Sequence, residues 1–420
     1  MATLFLPCAG GVEGLLAEEV SHLAAHGEPT VQAAHGEPAV HAARGGQAIQ
    51  AGHGGVFVDA DAALAMRLNL QSRLAQRVLW PLAQGRYRDE HDLYALARGV
   101  RWSDWITPAQ TLKVEVSARR SPLRSLNFAA LRIKDAVCDA LRERTGARPS
   151  VDTRRPDLPL ALFVGESEAT LYADLSGEPL FKRGWREDRG EAPLKETLAA
   201  ALLAAAGWQG RAADGPLFDP CCGAGTIAIE AAQIACGIAP GLARRFAFER
   251  LAPFRDHARV WHDLQRAARE HVHAPDAPVF AGDVSFRMTD FAARNAARAG
   301  VAQAIEFKTA DALQRPPPAA RGTIVMNPPY GERIEAKGSG AREGFGTQGS
   351  PDEFYAALAA HWKRHYGGWT AWILSPQMRL PGLMRFKESR RVPLWNGAIE
   401  CRLFRFDVTA LAPRAPRGIG

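Results

Sequence analysis

The stretch Leu217–Gly237, LFDPCCGAGTIAIEAAQIACG, decides the fold. It reads as a short apolar strand, a tight turn carrying Gly223 and Gly225, and an Ala-rich helix that stops at Gly237. Two glycines allow a sharp turn from strand to helix and let a ligand lie against the backbone. Taken alone, GAGTIA also satisfies the loose dinucleotide pattern G-x-G-x-x-A, and a purely structural turn fits it as well. The sequence that follows narrows the choice. VFAGD is a second strand ending in Asp283, SFRMTDFAARNAARAG a helix ending at Gly300, and AIEFKTAD a third strand ending in Asp311. Alternating strands and helices predict a parallel α/β sheet, in which ligands bind at the carboxyl ends of the strands. Asp219, Asp283 and Asp311 all fall at that edge. Asp283 follows Gly225 by 58 residues, where a nicotinamide dinucleotide site expects about 20. No Lys-Ser or Lys-Thr pair follows the first turn, which excludes a Walker phosphate loop. A nucleoside-like cofactor without a pyrophosphate remains, with Asp219, Pro220, Cys222, Gly223, Gly225, Thr226, Asp283, Asp311 and Asn327 as candidate contacts.

A fourth strand completes the site. In TIVMNPPYGERI, Thr323–Ile334, the apolar TIVM is a buried strand by composition and Asn327-Pro328-Pro329-Tyr330 follow at its carboxyl end. Each proline fixes φ and removes an N–H, and the residue before a proline is pushed to extended geometry. The result is a stiff corner rich in acceptors. The Asn327 side-chain oxygen and the Pro328 carbonyl can both accept from one –NH2 group, and Tyr330 offers a flat face for a base. An exocyclic base amine is a poor nucleophile because its lone pair is delocalised into the ring. Two fixed acceptors would aim its nitrogen and stabilise the positive charge that develops on attack at an activated methyl group. This combination predicts methyl transfer to a base amine, with Asn327, Pro328, Pro329 and Tyr330 as the chemical half of the site.

The rest of the chain bounds that reading. Its 420 residues suit two to four domains, and 52 Lys and Arg against 45 Asp and Glu leave a formal charge of +7 that favours an anionic partner. The six cysteines contain no C-x-x-C pair, so neither a disulfide framework nor a metal site is expected. The start, MATLFLPCAGG, lacks the features of a signal peptide, and no apolar run approaches the ~20 residues of a membrane span. A cytoplasmic protein is expected.

From Ala24 a nine-residue unit repeats as AAHGEPTVQ, AAHGEPAVH and AARGGQAIQ before AGHGG and VFVDAD. Gly-rich turns followed by short apolar alternation predict duplicated hairpins, and the turn itself accounts for the recurrence of His26, His35 and His53 without a metal. Between Lys113 and Arg155 eleven basic residues face five acidic ones. Within that window Ile133, Val137 and Leu141 mark one helical face, while TLKVEVSAR, LALFVG and EATLYADL read as strands. This is an α+β module with a basic rim. Arg119, Arg120 and Arg124, together with Lys182 and Arg183 of the run FKRGWR, are its candidate nucleic-acid contacts. After Glu191 the α/β texture begins, with Pro193 expected as a first helical residue and Gly207 as the stop. The Asn396-Gly397 pair predicts an edge hairpin between VPLW and AIECRLF. Seven basic residues between Arg379 and Arg405 form a second basic surface.

These motifs resemble a known family. DPCCGAGT, the strands ending at Asp283 and Asp311, and NPPYGERI are similar to the motifs of class I S-adenosylmethionine-dependent amino-methyltransferases. More narrowly, LYADLSGEPLFKRGWR, APLKETLAAALL, APGLARRFAF and NGAIECRLFRF resemble the ribosomal large-subunit RNA guanine-N2 methyltransferases that carry a THUMP domain. The resemblance runs from GGVEGLLAEEV to about Val408. It implies a ferredoxin-like region over 1–70, a THUMP RNA-binding domain over 71–184 and a Rossmann-like methyltransferase domain over 185–412. It further implies that Asp219, Gly223 and Gly225 line S-adenosylmethionine, that Asp283 holds its ribose and Asp311 its adenine amine, and that Asn327, Pro328 and Tyr330 hold a guanine of 23S rRNA. The same chemistry on tRNA, and a non-catalytic ribosome-assembly factor, are the alternatives. Some members of the family carry a second methyltransferase domain that makes 7-methylguanine, for which the length here leaves no room. Cys221, where relatives often have Met, and the nonapeptide repeats depart from the family pattern.

Overall fold

The computed structural model describes residues 1–25, 48–190, 193–328 and 351–409. The expected repeat hairpins over 26–47, His26 and His35, Pro329 and Tyr330, and the Gly-rich stretch at 336–350 lie outside the described residues. The chain forms two compact units.

The first unit comprises Met1–Cys8, Glu13–Lys182 and Pro240–Glu270. Its strands are β1 (Ala2–Pro7), β2 (Ile49–Gly52), β3 (Gly55–Ala60), β4 (Leu79–Arg86), β5 (Thr111–Ala118), β6 (Ser150–Val151), β7 (Leu158–Val164) and β8 (Glu168–Asp174). They make one sheet in the order β2-β3-β1-β4-β8-β7-β5-β6. The regions expected as ferredoxin-like and THUMP domains thus share a sheet, because β1 pairs with both β3 and β4. The last copy of the repeat is a hairpin as expected, with Gly52 opposite Gly55 and Gly54 at φ +80° in the turn. Helices α1 (Glu13–Ala25), α2 (Ala62–Gln71), α3 (Glu90–Arg98) and α4 (Leu126–Thr145) belong to this unit. The predicted apolar face of α4 is buried at Ile133, Val137 and Leu141. Ser125 caps its first turn by accepting from the Phe128 N–H, and Gly146 at φ +79° ends it.

Residues 240–270 were expected to continue the third domain, yet they fold into the first unit. One arginine accounts for much of this. The Arg244 guanidinium donates to the carbonyls of Pro179 and Lys182 at 2.7 and 3.0 Å, to that of Ser176 at 3.2 Å, and to that of Glu178. Phe246, Phe248 and Trp261 of the same segment pack ring against ring with centroids 5.0–5.7 Å apart. The segment ends in helix α7 (Ala258–Glu270).

Helices α5 (Glu196–Ala206) and α6 (Thr226–Ala235) and strand β9 (Leu217–Asp219) open the second unit. It continues with β10 (Val279–Asp283), α8 (Phe286–Arg298), β11 (Ile305–Thr309), β12 (Gly322–Met326), α9 (Pro351–His365), β13 (Trp369–Ser375), α10 (Leu380–Met384), β14 (Arg390–Asn396) and β15 (Ile399–Asp407). Every helix and strand expected from Leu217 to Met326 is present. One start differs: α5 begins at Glu196 rather than Pro193, because Leu194 directs its carbonyl to Arg186 Nη2 at 3.1 Å and Lys195 stays extended. The sheet order is β11-β10-β9-β12-β13-β15-β14. Its first five strands are parallel and β15 runs antiparallel to β13. The edge hairpin is present, but Asn396 pairs with Ile399, so Gly397 at φ +66° is the first loop residue. That is the glycine position of a II′ turn, not the I′ turn for which Asn-Gly is the usual signal. One face of the sheet packs Phe218, Ile324 and Met326 against Leu358, Trp362 and Tyr366 of the α9 segment.

Candidate active site

The chain runs outward from β9 through β10 to β11 and then returns to the other side of β9 with β12. Reversal of strand order at β9 makes a crevice at the carboxyl ends of β9 and β12. Asp219 ends β9, and the register Ile324 opposite Phe218 brings Asn327 to the same edge. Four sequence segments, 219–226, 283, 311 and 327–328, therefore meet along one rim.

Asp219 is buried, and its carboxyl is held well above the usual carboxylate range, first by burial and then by the nearby Asp283. The Cys221 N–H, 3.3 Å from Asp219 Oδ1, opposes that shift. Pro220, Cys222 and Thr226 are buried beside it. Asp283 bridges the two first βα units: its Oδ2 accepts from the Gly223 N–H at 2.9 Å and its Oδ1 from the Ser285 N–H at 3.0 Å. Asp311 accepts from the Leu313 N–H through Oδ1 at 2.9 Å, and its other oxygen has no protein partner among the described residues.

The two glycines of the turn do different work. Gly225, at φ +88°, would place a Cβ only 2.9 Å from that of Ala292, so it permits α6 to approach α8. Gly223, at φ +52°, would point a Cβ into open space, leaving room for a ligand against the backbone. Burial pushes the Cys221 and Cys222 thiols well above their usual range, which keeps them from acting as thiolate nucleophiles.

Asn327 supplies the decisive polar atom. Its Oδ1 is buried and has no hydrogen-bond partner among the described residues, and Pro328 beside it is also buried. A buried acceptor left unpaired is costly, which points to a donor delivered by a ligand.

Several residues that support the site were not among the candidates. Arg186 donates through Nε to Glu196 at 2.7 Å and through Nη2 to Thr226 Oγ1 at 2.8 Å, so the first residue of α6 is already engaged. Asn295, fully buried, donates to the Ala224 carbonyl at 3.1 Å and to that of Asp188 at 3.0 Å, tying the glycine turn to the segment before α5. Arg315 donates to the Ala281 carbonyl at 2.8 Å and lies over the Phe218 ring. It also explains Gly282, whose Cβ would meet Arg315 Nη1 at 2.7 Å. Local patterning cannot reveal such residues, because their partners lie far away in the chain.

The expected RNA contacts divide. Arg119, Arg120 and Arg124 are exposed at the end of β5, where the Arg119 N–H donates to the Val164 carbonyl at 2.9 Å. The Tyr87 hydroxyl, within 2.7 Å of Ser121 Oγ and donating to the Gly165 carbonyl, steadies that loop. Lys182 is exposed but pairs with Glu178. Arg183 is a correction: it is buried, and its Nε lies 3.1 Å from Glu230 Oε1, so it cannot contact RNA. A basic run is read as surface from composition, whereas here one of its members closes an internal ion pair.

Comparison with known proteins bears on the whole chain. Residues 183–405 match the family model described as RMKL-like, methyltransferase domain; residues 87–174 match a THUMP domain and residues 42–79 an RlmL ferredoxin-like domain. The chain is 40% identical over 374 residues to a ribosomal RNA large subunit methyltransferase K/L of Syntrophotalea carbinolica, covering 85% of this chain and 50% of that protein. It is 35% identical over 365 residues to a protein of the same name from a Shewanella species, covering 86% of this chain and 49% of that one. The chain thus spans about half the length of the curated relatives it matches. The crystal structure of SMU.472 complexed with SAH superposes with a TM-score of 0.80 over 98% of this chain and 99% of that one, at 23% identity, a likeness of fold.

Proposed function

The chain belongs to the RMKL-like methyltransferase family, and on that premise we propose that it transfers a methyl group from S-adenosylmethionine to the exocyclic N2 amine of a guanine in 23S rRNA. The observation that carries the reading is the buried Asn327 Oδ1 at the carboxyl end of β12, which has no partner among the described residues. The cofactor fits the residues present: Gly223 leaves open space along the backbone, and Asp219, Asp283 and Asp311 line the adjoining rim. Asp283 would take the ribose hydroxyls, Asp311 the adenine amine, and the turn from Asp219 to Thr226 the remainder. Bound there, S-adenosylmethionine supplies an electrophilic methyl group on a sulfonium.

The chain's own part is orientation. Asn327 Oδ1 and the Pro328 carbonyl accept the two amine hydrogens, aim the nitrogen and stabilise the charge it gains. Tyr330 would stack on the base. The protonated Cys221 and Cys222 fit a direct transfer without a covalent protein intermediate. Because a guanine amine inside a helix is stacked and paired, the target must be unpaired or flipped out. The named divisions 1–70, 71–184 and 185–412 are carried with this proposal, save that residues 240–270 fold with the first unit, as is a cytoplasmic place of action; no helix among the described residues is long and apolar enough to cross a membrane.

Mapping methylated nucleosides in RNA from a strain lacking this protein tests the reading, which predicts loss of one N2-methylguanosine from large-subunit RNA. Undiminished N2-methylguanosine there would overturn it. Two further results are expected. Charge reversal of Arg119, Arg120 and Arg124 lowers the slope of log K for RNA against log salt by about 2–3, at roughly 0.7–0.9 per lost phosphate contact, and an unaltered slope would remove that surface from the RNA footprint. Burial raises the Asp219 carboxyl and a bound cation would oppose that shift, so cofactor binding favours the deprotonated form and the sign of the pH effect is fixed. Affinity for S-adenosylmethionine rises as pH is raised through the titration of Asp219, and calorimetry in buffers of different ionisation enthalpy detects a released proton that Asp219→Asn abolishes.

A further inference from the structure

We propose that Arg315, Tyr366 and His361 are positioning residues that hold the free carboxylate oxygen of Asp311 at a fixed place on the rim, and so select a cofactor with a 6-amino group on its purine. This rests on the assignment of Asp311 to the adenine amine above and extends it to side chains behind the rim.

Asp311 heads one tight turn. The N–H groups of Gln314 and Arg315 donate to its carbonyl at 3.0 and 2.9 Å, and that of Leu313 to its Oδ1 at 2.9 Å. Just before the turn, the Ala310 N–H donates to the Asp283 carbonyl at 2.9 Å, which ties two of the acidic strand ends together. The far end of the turn is the Arg315 carbonyl. It accepts from the Tyr366 hydroxyl at 2.9 Å and lies 2.8 Å from His361 Nε2. The Arg315 guanidinium, on a residue only 5% exposed, donates to the carbonyl of Ala281, two residues before Asp283, and lies 4.7 Å from the centre of the ring of Phe218, the residue before Asp219. All three acidic strand ends are thereby braced through one arginine.

These polar groups stand in apolar surroundings. Tyr366, which follows α9, and Phe218 belong to the core cluster on one face of the sheet, and their rings stack with centroids 6.4 Å apart. Burial alone calls for no hydroxyl, imidazole or guanidinium there, since each needs a partner to offset its lost hydration. Here two donors converge on one carbonyl, which fixes that backbone atom in direction as well as in place. A carbonyl can only accept, so His361 donates through Nε2. Burial holds the His361 pKa below its usual range, with the Arg315 carbonyl and the nearby Asp311 charge acting the other way, and the ring is a neutral donor at neutral pH.

Selectivity follows from the bracing. An adenine amine presents N–H donors to Asp311, whereas a 6-oxopurine presents a carbonyl oxygen that a carboxylate repels. A carboxylate whose turn is held at both ends cannot swing aside to admit the second ligand. Loss of the bracing should weaken binding of the adenosyl ligand and relieve the clash with the inosyl one. It therefore moves the ratio of the two affinities, which a general loss of stability does not.

The test is calorimetric binding of S-adenosylhomocysteine and S-inosylhomocysteine to the full chain. Wild type should prefer the adenosyl ligand by about tenfold or more. Tyr366→Phe combined with His361→Leu removes both donors while keeping most of the side-chain bulk, and should bring the ratio to within about threefold of unity. His361→Gln, which keeps a side-chain N–H, should retain the wild-type ratio. Phe406→Leu, a lesion in the same core where Phe406 packs on Phe386 and Phe404, should lower the melting temperature and leave the ratio unchanged. If the double variant does not fold, Tyr366→Phe alone should lower the ratio by about threefold or more. A wild-type ratio in the folded variant that lacks these donors, or an equal fall in Phe406→Leu, overturns the positioning role. A wild-type chain that binds both ligands alike overturns the assignment of Asp311 itself, so the two failures are separable.

Discussion

Replacing Asn327 by alanine is expected to lower methyl transfer by about 10²–10³-fold while the S-adenosylmethionine Kd stays within about twofold. The buried Oδ1 has no partner among the described residues, so its loss leaves the resting protein little changed. Its contribution appears when a base amine gives up its delocalised lone pair and charge develops on nitrogen. Removing a preorganised acceptor at that moment costs about 2.7–4 kcal/mol of transition-state stabilisation. Single-turnover assays with labelled cofactor, alongside calorimetric binding, separate the two effects. Wild-type turnover in Asn327→Ala would end the assigned role. An equal loss of cofactor binding would move Asn327 from the chemical step to cofactor positioning.

Arg183→Ala should destabilise the protein by about 3–5 kcal/mol, since truncating one member of a buried pair leaves an uncompensated charge. Arg183 and Glu230 are 2% and 0% exposed at their side chains, and the guanidinium meets the carboxylate through Nε at 3.1 Å and Nη2 at 3.5 Å. The transition midpoint in denaturant reads the loss. Replacing both partners by apolar residues of similar volume, Arg183→Met with Glu230→Leu, should restore most of the stability. The salt dependence of RNA binding should be untouched in both variants. A stable Arg183→Ala with a reduced salt slope would return this residue to the RNA surface.

The fate of the run FKRGWR shows where sequence reasoning stops. Its composition is that of a basic surface, and Lys182 is exposed as expected. Arg183 and Arg186 instead point inward to Glu230 and Glu196, carboxylates 47 and 10 residues away. Nothing in the local pattern distinguishes an arginine that meets phosphate from one that meets a buried glutamate. The same holds for the seven basic residues from Arg379 to Arg405, of which Arg391, Arg402 and Arg405 pair with Glu388, Glu400 and Asp407. Residues 240–270 likewise read as a continuation of the α/β domain, until the Arg244 guanidinium joins them to carbonyls of Ser176 to Lys182.

By itself the sequence determined the strands and helices from Leu217 to Met326, the glycine turn, and the placing of Asp219, Asp283, Asp311 and Asn327 at strand ends. Those features follow from periodicity, from the conformational freedom of glycine and from the rigidity of proline, all properties of neighbouring residues. The tertiary structure alone decided that β12 returns beside β9, so that Asn327 shares an edge with Asp219, and that Gly223 faces open space while Gly225 meets Ala292. It also decided which arginines are buried. These outcomes depend on contacts between segments tens of residues apart, where strand order, helix packing and charge pairing are settled together.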